Sequence, residues 1–263
     1  MTLDGWTLPQ SETGRAAILT APPWHYSGDI IAVDFTAGPD AVAALLPPGM
    51  EPKGDGSASF VFADWCSASD ADPRIRDDPG RGQYKEAYVV LYGIYAGKPA
   101  GRVPFIWVDN DLSLVRGLIQ GFPKKLGSIA MTRPVELGQG GVRKETGSRF
   151  AAHASSQGRR LCTATVTLSE EHEKLYPPGI ATPLLHTRLW PSIDGGAPAV
   201  HELSRGTITD FELGRVHSGD ATIEFGASEF EELDLLSPRS VGRGYVFAAA
   251  FSVTGGTAIP IEE

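Results

Sequence analysis

Short runs of β-branched and aromatic residues, separated at close intervals by glycine and proline, recur along most of this chain. ASFVFADW at 58–65 and EAYVVLYGIYAG at 86–97 are the clearest examples. Runs of this kind are typical of β-strands, and the 31 glycines and 20 prolines among 263 residues supply the turns that such strands need. Because few helical segments interrupt the runs, they favour antiparallel hairpins over β-α-β units. The pattern predicts a mainly β fold with a few helices.

The chain shows no internal repeat and no shift in composition that would mark a linker. Residues 1–22 mix isolated glycines and prolines with polar residues, so we predict an N-terminal arm without regular structure there. Residues 23–263 are predicted to form a single domain, because all-β units often reach this length.

Composition and charge argue against several classes of partner. The formal net charge is −9, whereas affinity for nucleic acid depends on clustered lysine and arginine. No uncharged stretch approaches the length of about 18 residues that a membrane-spanning helix needs. We therefore predict neither a nucleic-acid partner nor a membrane protein.

The cysteine and histidine patterns do not indicate a cofactor. Cys66 and Cys162 lie far apart in the sequence and match neither a zinc-binding spacing nor a disulfide framework. The acidic segment SEEHEKLYPP at 169–178 lacks the HExxH spacing of a helical zinc site, and GQGG at 138–141 lacks the pattern of a phosphate-binding loop. We predict no metal and no cofactor, and the two unpaired cysteines favour a cytoplasmic location.

The segment NDLSLVRGLIQGFP at 110–123 has the strongest helical character in the chain. An asparagine or an aspartate can cap its start, apolar residues recur at spacings of three and four, and a glycine followed by a proline can end it. The chain then reads PKKLG, so two adjacent lysines, Lys124 and Lys125, stand immediately after the predicted helix.

Adjacent lysines on an extended segment are normally solvated and point to opposite sides, but the neighbours here, Phe122, Pro123 and Leu126, are apolar. If one amine enters an apolar pocket while the other stays close, burial and the second charge both lower its pKa. At its ordinary pKa of about 10.4, a lysine is neutral in only roughly one molecule in 2,500 at pH 7. A neutral amine can attack a ketone and form an iminium, which accepts electrons from an adjacent C–C or C–H bond. Decarboxylation, aldol addition and dehydration all proceed through this intermediate.

The stretch GFPKKLGSIAMTRP at 121–134 resembles the active-site segment of the acetoacetate decarboxylase family. The resemblance extends to PPWHYSGDIIAVDF at 22–35 and to YKEAYVVLYG at 84–93. It implies an antiparallel β-barrel of the acetoacetate decarboxylase type, with the reactive lysine in its apolar interior. It also implies a homo-oligomeric enzyme that acts on a small keto acid.

The resemblance assigns roles to three residues. Lys124 would form the Schiff base, Lys125 would lower the pKa of Lys124, and Glu86 would act as the general acid and base. A glutamate near the start of a strand can instead be a solvated edge residue, so the role of Glu86 depends on its burial.

Three further residues are candidates for substrate binding. Tyr84 shares one face of a strand with Glu86, because side chains alternate with a period of two, and Gln120 precedes Lys124 by four residues. Tyr245 could reach the pocket from the last predicted strand. Each of them also has a structural interpretation: packing for the two tyrosines, and satisfaction of helix-end carbonyls for Gln120.

The sequence departs from the family pattern where the substrate acid would be bound. Ser27 occupies the place of an arginine that acetoacetate decarboxylases are expected to carry, and Arg116-Gly117-Leu118 replaces Gly-Arg-Glu. Branches of the superfamily with such changes are similar to enzymes that condense pyruvate with an aldehyde and then dehydrate the product. An arginine that enters the cavity from elsewhere, such as Arg116 or Arg188, would instead favour decarboxylation.

Three functions therefore remain open at the level of sequence. The first is a Schiff-base lyase that acts on a small keto acid through Lys124, by β-keto acid decarboxylation or by aldol chemistry. The second is specifically a pyruvate aldolase-dehydratase. The third is a barrel of the same shape that binds a ligand without catalysis.

Overall fold

A computed structural model describes residues 2–261, which form fourteen strands and four α-helices. The predicted class, mainly β with a few helices, is confirmed. The strands are β1 (Trp24–Thr36), β2 (Met50–Pro52), β3 (Ser57–Ser69), β4 (Gln83–Tyr95), β5 (Lys98–Arg102), β6 (Ile106–Val108), β7 (Lys124–Leu126), β8 (Ser128–Met131), β9 (Arg149–Ser156), β10 (Arg159–His172), β11 (His186–Trp190), β12 (Val200–Leu213), β13 (Val216–Phe225) and β14 (Ser240–Pro260). The α-helices are α1 (Pro39–Ala44), α2 (Pro79–Gly82), α3 (Asp111–Gln120) and α4 (Pro178–Ala181), and 3₁₀ helices span Pro73–Arg76 and Leu233–Leu236.

Ten strands follow one continuous path in the order β7-β6-β4-β3-β1-β14-β13-β10-β9-β8. The two ends of this path, β7 and β8, are consecutive in the chain and are separated by Gly127 alone. The sheet therefore curls back on itself into a barrel. Its neighbouring strands are antiparallel except for β6 and β7, which are parallel, so the predicted antiparallel barrel is confirmed with one parallel pair.

The interior of this barrel is filled by apolar side chains, and we call it the packed compartment. Phe60 and Phe62 from β3 meet Trp107 from β6 and Phe150 from β9, and all four are completely buried. Burial of large apolar side chains is the main favourable contribution to folding. The packed compartment therefore holds the barrel together.

A second curled wall encloses the opposite face of the same strands. The 21-residue β14 pairs with β13 through its first part and with β12 through its second part. Strand β11 pairs with β12, and just before β11 the chain bonds to β5, where Gly101 N donates to Pro183 O at 2.8 Å and Leu185 N donates to Gly101 O at 2.8 Å. We call the space within this wall the cavity compartment; its core includes Tyr26, Trp65 and Tyr84.

Helix α3 lies between β6 and β7 in the chain and directly precedes the lysine segment. The side chain of Asn110 caps it by accepting a hydrogen bond from Ser113 N at 2.9 Å, and Gly121 ends it in the left-handed region with φ 96°. Both ends agree with the sequence prediction. The most buried face of α3, however, consists of Ser113, Arg116 and Gly117 rather than of its apolar residues.

Residues 2–23 contain no helix or strand, only an isolated bridge between Asp4 and Ser11. The segment nevertheless packs on the barrel: Leu19 is buried, and the Trp6 ring lies edge-on to Trp24 with centroids 5.7 Å apart. The division into an arm and one domain stays a prediction. No helix within residues 2–261 is long and apolar enough to cross a membrane.

Candidate active site

Lys124 lies at the start of β7, and its side chain is 7% exposed. Its methylene chain passes directly over α3 at Gly117, where a Cβ would lie 2.3 Å from Lys124 Cδ. Its Nζ donates hydrogen bonds to Glu86 Oε2 and to Ser113 Oγ, each at 2.9 Å. The absence of a side chain at Gly117 therefore allows the amine to reach these two partners.

The environment of Lys124 shifts its protonation equilibrium toward the neutral amine. Burial lowers the pKa of Lys124 below its ordinary value, the Glu86 carboxylate opposes this effect, and the Arg116 guanidinium adds to it. Desolvation is the largest of the three influences, because an ammonium loses its hydration in an apolar pocket. The net result is an amine that loses its proton more readily than a solvated lysine.

Arg116 is the cation that lowers the pKa of Lys124. Its side chain is buried beneath aromatic rings, with the guanidinium carbon 4.9 Å from the ring centre of Tyr26 and 5.7 Å from that of Tyr84. Nη2 also lies 3.5 Å from Ser67 Oγ. Stacking on aromatic faces holds a guanidinium in a dry site, so Arg116 maintains a fixed positive charge behind the cavity wall.

Lys125 points away from Lys124, as expected for neighbouring residues of a strand. Its Nζ donates to Glu231 Oε2 at 2.8 Å, and its side chain is 51% exposed. Glu231 also accepts a hydrogen bond from Trp107 Nε1 at 3.0 Å. The structure therefore does not bring the two lysine amines together, and the neighbouring cation that lowers the pKa of Lys124 is Arg116 instead.

Glu86 and Tyr84 lie side by side on the cavity face of β4, as the period of two predicts. Glu86 is 8% exposed and accepts a hydrogen bond from Trp65 Nε1 at 2.9 Å, in addition to its contact with Lys124. The Tyr84 ring centre lies 5.5 Å from Lys124 Nζ. Burial and the Glu86 charge raise the pKa of the Tyr84 hydroxyl well above its ordinary value, so this phenol remains protonated.

The amine opens into a cavity of about 450 Å³. Its buried end is formed by Lys124, Glu86 and Tyr84. Exposed apolar side chains belong to its mouth, among them Tyr176 at 61% and Phe211 at 38% exposure. The prediction that Lys124 lies within the barrel interior is therefore wrong. The barrel interior is filled by apolar side chains, and Lys124 lines the cavity on the other face of the same strands.

The other two predicted substrate-binding residues have different positions. Gln120 lines the cavity, and its Nε2 donates to Arg116 O at 3.2 Å. Tyr245 instead donates to Asp34 Oδ2 at 3.1 Å, in a cluster away from Lys124 where Ser59 also bonds to Asp34. The structure brings Gln120 to the site and does not bring Tyr245 there.

Three residues of the site were not singled out by the sequence analysis: Ser113, Trp65 and His186. Ser113 belongs to a polar stripe on α3 with Arg116 and Gln120, at helical spacings of three and four. These spacings put the three residues on one face of a helix, so the stripe could have been recognised from the sequence. Trp65 and His186 come from other strands and had no comparable signal. Arg188, which could have entered the cavity, pairs with Glu202.

A buried lysine with a lowered pKa, hydrogen-bonded to a carboxylate at the end of a cavity, defines a class of enzyme that forms Schiff bases with carbonyl substrates. The family model described as acetoacetate decarboxylase (ADC) matches residues 7–259. The chain belongs to this family, and it is an enzyme that acts through a lysine Schiff base.

Three relatives illustrate the range of similarity. The enduracididine biosynthesis enzyme MppR, solved with the condensation product of pyruvate and imidazole 4-carboxaldehyde, is 35% identical with a TM-score of 0.93, and the match covers 100% of this chain and 99% of MppR. An acetoacetate decarboxylase-like enzyme from Sphingomonas wittichii RW1 is 25% identical with a TM-score of 0.87, over 97% of this chain and 100% of that one. The acetoacetate decarboxylase of Ralstonia nicotianae (strain ATCC BAA-1114 / GMI1000) is 25% identical over 226 residues, which is 81% of each chain.

Among the described residues, no group of three or more histidine, cysteine, aspartate or glutamate side chains could hold a metal ion. The charged groups that line the buried end of the cavity are Lys124 and Glu86. Their chemistry is that of proton transfer and covalent attachment to a carbonyl group.

Proposed function

We propose that this enzyme condenses pyruvate with an aldehyde and dehydrates the product, through an iminium on Lys124. The observation that carries the proposal is the buried Lys124 amine at the end of a 450 Å³ cavity, hydrogen-bonded to Glu86 at 2.9 Å. The similarity to MppR, whose structure holds a condensation product of pyruvate, supports aldol chemistry in particular.

The residues at the buried end can carry out the first half of the reaction. Lys124 passes a proton to Glu86, and the neutral amine attacks the keto carbon of pyruvate. Glu86 returns the proton to the carbinolamine hydroxyl, which leaves as water and gives the iminium. Glu86 then removes a proton from the methyl group, and the electron pair of that C–H bond gives the enamine. Gln120 on the cavity wall and the positive charge of Arg116 behind it favour the pyruvate carboxylate at this end.

The size of the cavity supports a second carbonyl substrate. A volume of about 450 Å³ lies in the range of roughly 300–1,000 Å³ that accommodates drug-sized ligands, and pyruvate has only six heavy atoms. The mouth carries Tyr176 and Phe211, whose rings stack with centroids 6.4 Å apart. We infer an aldehyde with an apolar or aromatic body.

Decarboxylation of a β-keto acid is the second candidate function. Arg116 favours it, because a fixed cation beside the iminium would attract a substrate carboxylate, and the Ralstonia nicotianae relative bears the name of that activity. The same lysine and the same iminium serve both reactions. The bond that breaks or forms next to the iminium distinguishes them.

One screen tests both candidates. The enzyme is mixed with acetoacetate in one reaction and with pyruvate plus an aromatic aldehyde in another, and each is assayed for CO₂ and for a conjugated keto acid. Borohydride is then added with pyruvate, and the digested protein is analysed by mass spectrometry. We expect a conjugated product and an adduct on the peptide that contains Lys124; a peptide without adduct would refute the proposal, and CO₂ alone would favour the second candidate.

We also propose a cytoplasmic, homo-oligomeric enzyme whose partner is a small keto acid. The free thiols of Cys66, which is exposed, and Cys162, which is buried, are consistent with a reducing compartment. Exposed apolar residues near the end of β11 support self-association: Leu189 is 57% exposed and Trp190 is 38% exposed.

A further inference from the structure

His186 is a buried imidazole on the wall of the cavity, contributed by β11. It is 3% exposed, and its ring packs on the Phe122 ring with centroids 3.7 Å apart. The Phe122 ring centre in turn lies 5.7 Å from Lys124 Nζ. The imidazole is therefore close enough to contact a molecule that is covalently attached to Lys124.

His186 is uncharged at neutral pH. Burial holds the pKa of its imidazole well below the ordinary value, and the positive charges of Arg102 and Lys124 contribute in the same direction. An iminium on Lys124 would keep a positive charge in the same place. His186 therefore stays neutral during the reaction and offers one N–H donor and one lone pair.

The surroundings of Nδ1 indicate which nitrogen carries the proton. Nδ1 of His186 is buried and has no hydrogen-bond partner among residues 2–261. A buried N–H without a partner is rarer in proteins than a buried acceptor without one, so we assign the lone pair to Nδ1 and the proton to Nε2. The N–H of this neutral imidazole is then available to an oxygen atom in the cavity.

We propose that His186 binds the second substrate: its Nε2–H donates a hydrogen bond to the oxygen of the aldehyde. This inference rests on the proposed function. The enamine carbon forms the new C–C bond to the aldehyde carbon while the C=O electron pair moves to the oxygen, and Lys124 returns to the iminium. The alkoxide accepts the hydrogen bond from His186 and takes the proton that Glu86 removed from the pyruvate methyl group.

The reach of the covalent intermediate agrees with this role. Four bonds separate Lys124 Nζ from the oxygen that comes from the aldehyde, a span of about 5 Å when extended. A hydrogen-bond donor stands about 3 Å beyond that oxygen. The two ring distances from Lys124 through Phe122 to His186 allow this separation, so a donor on His186 can reach the oxygen that comes from the aldehyde.

Three variants and one control test the proposal. His186→Phe removes the donor and retains an aromatic ring against Phe122. His186→Gln returns an amide N–H near the position of Nε2, whereas His186→Asn places it near the position of Nδ1. The control is His201→Phe, an exposed histidine of β12. For each protein we would measure kcat/KM for the aldehyde, exchange of the pyruvate methyl protons in D₂O, and borohydride trapping of pyruvate.

We expect His186→Phe to lower kcat/KM for the aldehyde by about 10²- to 10³-fold, as for loss of one donor to a developing oxyanion. Methyl exchange and trapping should remain at the wild-type level, because both precede arrival of the aldehyde. Glutamine should recover much of the loss, and asparagine should not.

Two results would overturn the inference: condensation at the wild-type rate by His186→Phe, or equal recovery by glutamine and asparagine. A parallel loss of methyl exchange in folded His186→Phe would also overturn it, since that result indicates a structural role. Failure of the proposed function is a separate outcome, because it appears in the wild-type enzyme itself, as absence of trapping or as trapping without any conjugated product.

Discussion

The packed compartment and the cavity compartment are formed by opposite faces of the same strands. On β3, Phe60 and Phe62 fill the packed compartment, whereas Val61 and Trp65 on alternate positions face the cavity. One side is closed by large apolar groups. The other contains Glu86 and encloses a cavity of about 450 Å³.

This contrast separates stability from chemistry within one sheet. Ionisable groups in a dry site are unfavourable for folding unless they are paired or hydrogen-bonded, and Lys124, Glu86 and Arg116 are all buried on the cavity side. The packed face can offset that unfavourable burial, because its side chains are apolar and completely enclosed. Mutations on the two faces should therefore have different consequences.

The largest effect should come from Lys124→Met, which keeps an apolar chain of similar length and removes the amine. We expect loss of both condensation and borohydride trapping, because no other group described at the buried end is a primary amine. The measurement is product formation together with the mass of the trapped peptide. Condensation by this variant at a rate comparable to wild type would refute a covalent role for Lys124.

Phe150→Ala should have the corresponding effect in the packed compartment. Phe150 is completely buried between the strands of the barrel, and removal of such a ring typically destabilises a protein by about 3–5 kcal/mol. Urea denaturation would measure this change. The fraction of folded molecules that is trapped with pyruvate should be unchanged, and a specific loss of trapping would show that the two compartments are coupled.

Gly117→Ala should separate stability from activity most clearly at a single position. Alanine is favoured over glycine inside a helix by about 1 kcal/mol, so α3 itself should not be weakened. A Cβ at this position would lie 2.3 Å from Lys124 Cδ and 2.6 Å from its Cε, so the lysine chain must move away from Glu86 and Ser113. Misplacement of a reacting group by about 1 Å can lower the rate by about 10²-fold.

The measurements for Gly117→Ala are kcat for condensation and the midpoint of thermal unfolding. We expect a large loss of kcat with only a small change in the midpoint, because the gain in helix propensity offsets part of the stability lost when the buried Lys124–Glu86 contact is broken. A variant that retains full activity would show that Lys124 reaches its partners by a different path.

Arg116→Gln should change the pH dependence of trapping rather than abolish it. The guanidinium lowers the pKa of Lys124, so its removal favours the ammonium form and moves the midpoint of the trapping rate to higher pH. Trapping rates of the wild type and of the variant across a pH series would measure this shift. A shift to lower pH would contradict the electrostatic role of Arg116.

Local rules of sequence accounted for much of this architecture. The capping residue Asn110 and the terminating Gly121 define α3 as predicted, and the period of two correctly put Tyr84 beside Glu86. The same period also separates Lys124 from Lys125 on a strand. The resemblance to the family implied that Lys125 acts on Lys124, whereas strand geometry alone predicted that the two side chains point to opposite sides.

Tyr245 shows what local rules cannot provide. Its parity on β14 is the same as that of Phe251, which lines the cavity, but its place along the strand differs. Tyr245 pairs with Ala32 of β1, whereas Phe251 pairs with Tyr26 near the buried end. Register over such distances depends on the pairing of whole strands.

The role of His186 could not be predicted from the sequence for a related reason. Strand β11 reaches the site only because it pairs with β12 and so closes the second wall.

The smallest effect should come from Lys125→Met, on the side of β7 that faces away from the cavity. Its ammonium is half-exposed, and the buried Glu231 carboxylate with which it pairs keeps a second hydrogen bond, from Trp107 Nε1, when the lysine is replaced. If the fixed cation near Lys124 is Arg116, the pH midpoint of trapping should be the same in Lys125→Met and in the wild type. A midpoint that moves to higher pH as far as in Arg116→Gln would mean that the charge of Lys125 acts on Lys124 across the strand, and the contrast between the two faces would then fail at its closest pair of residues.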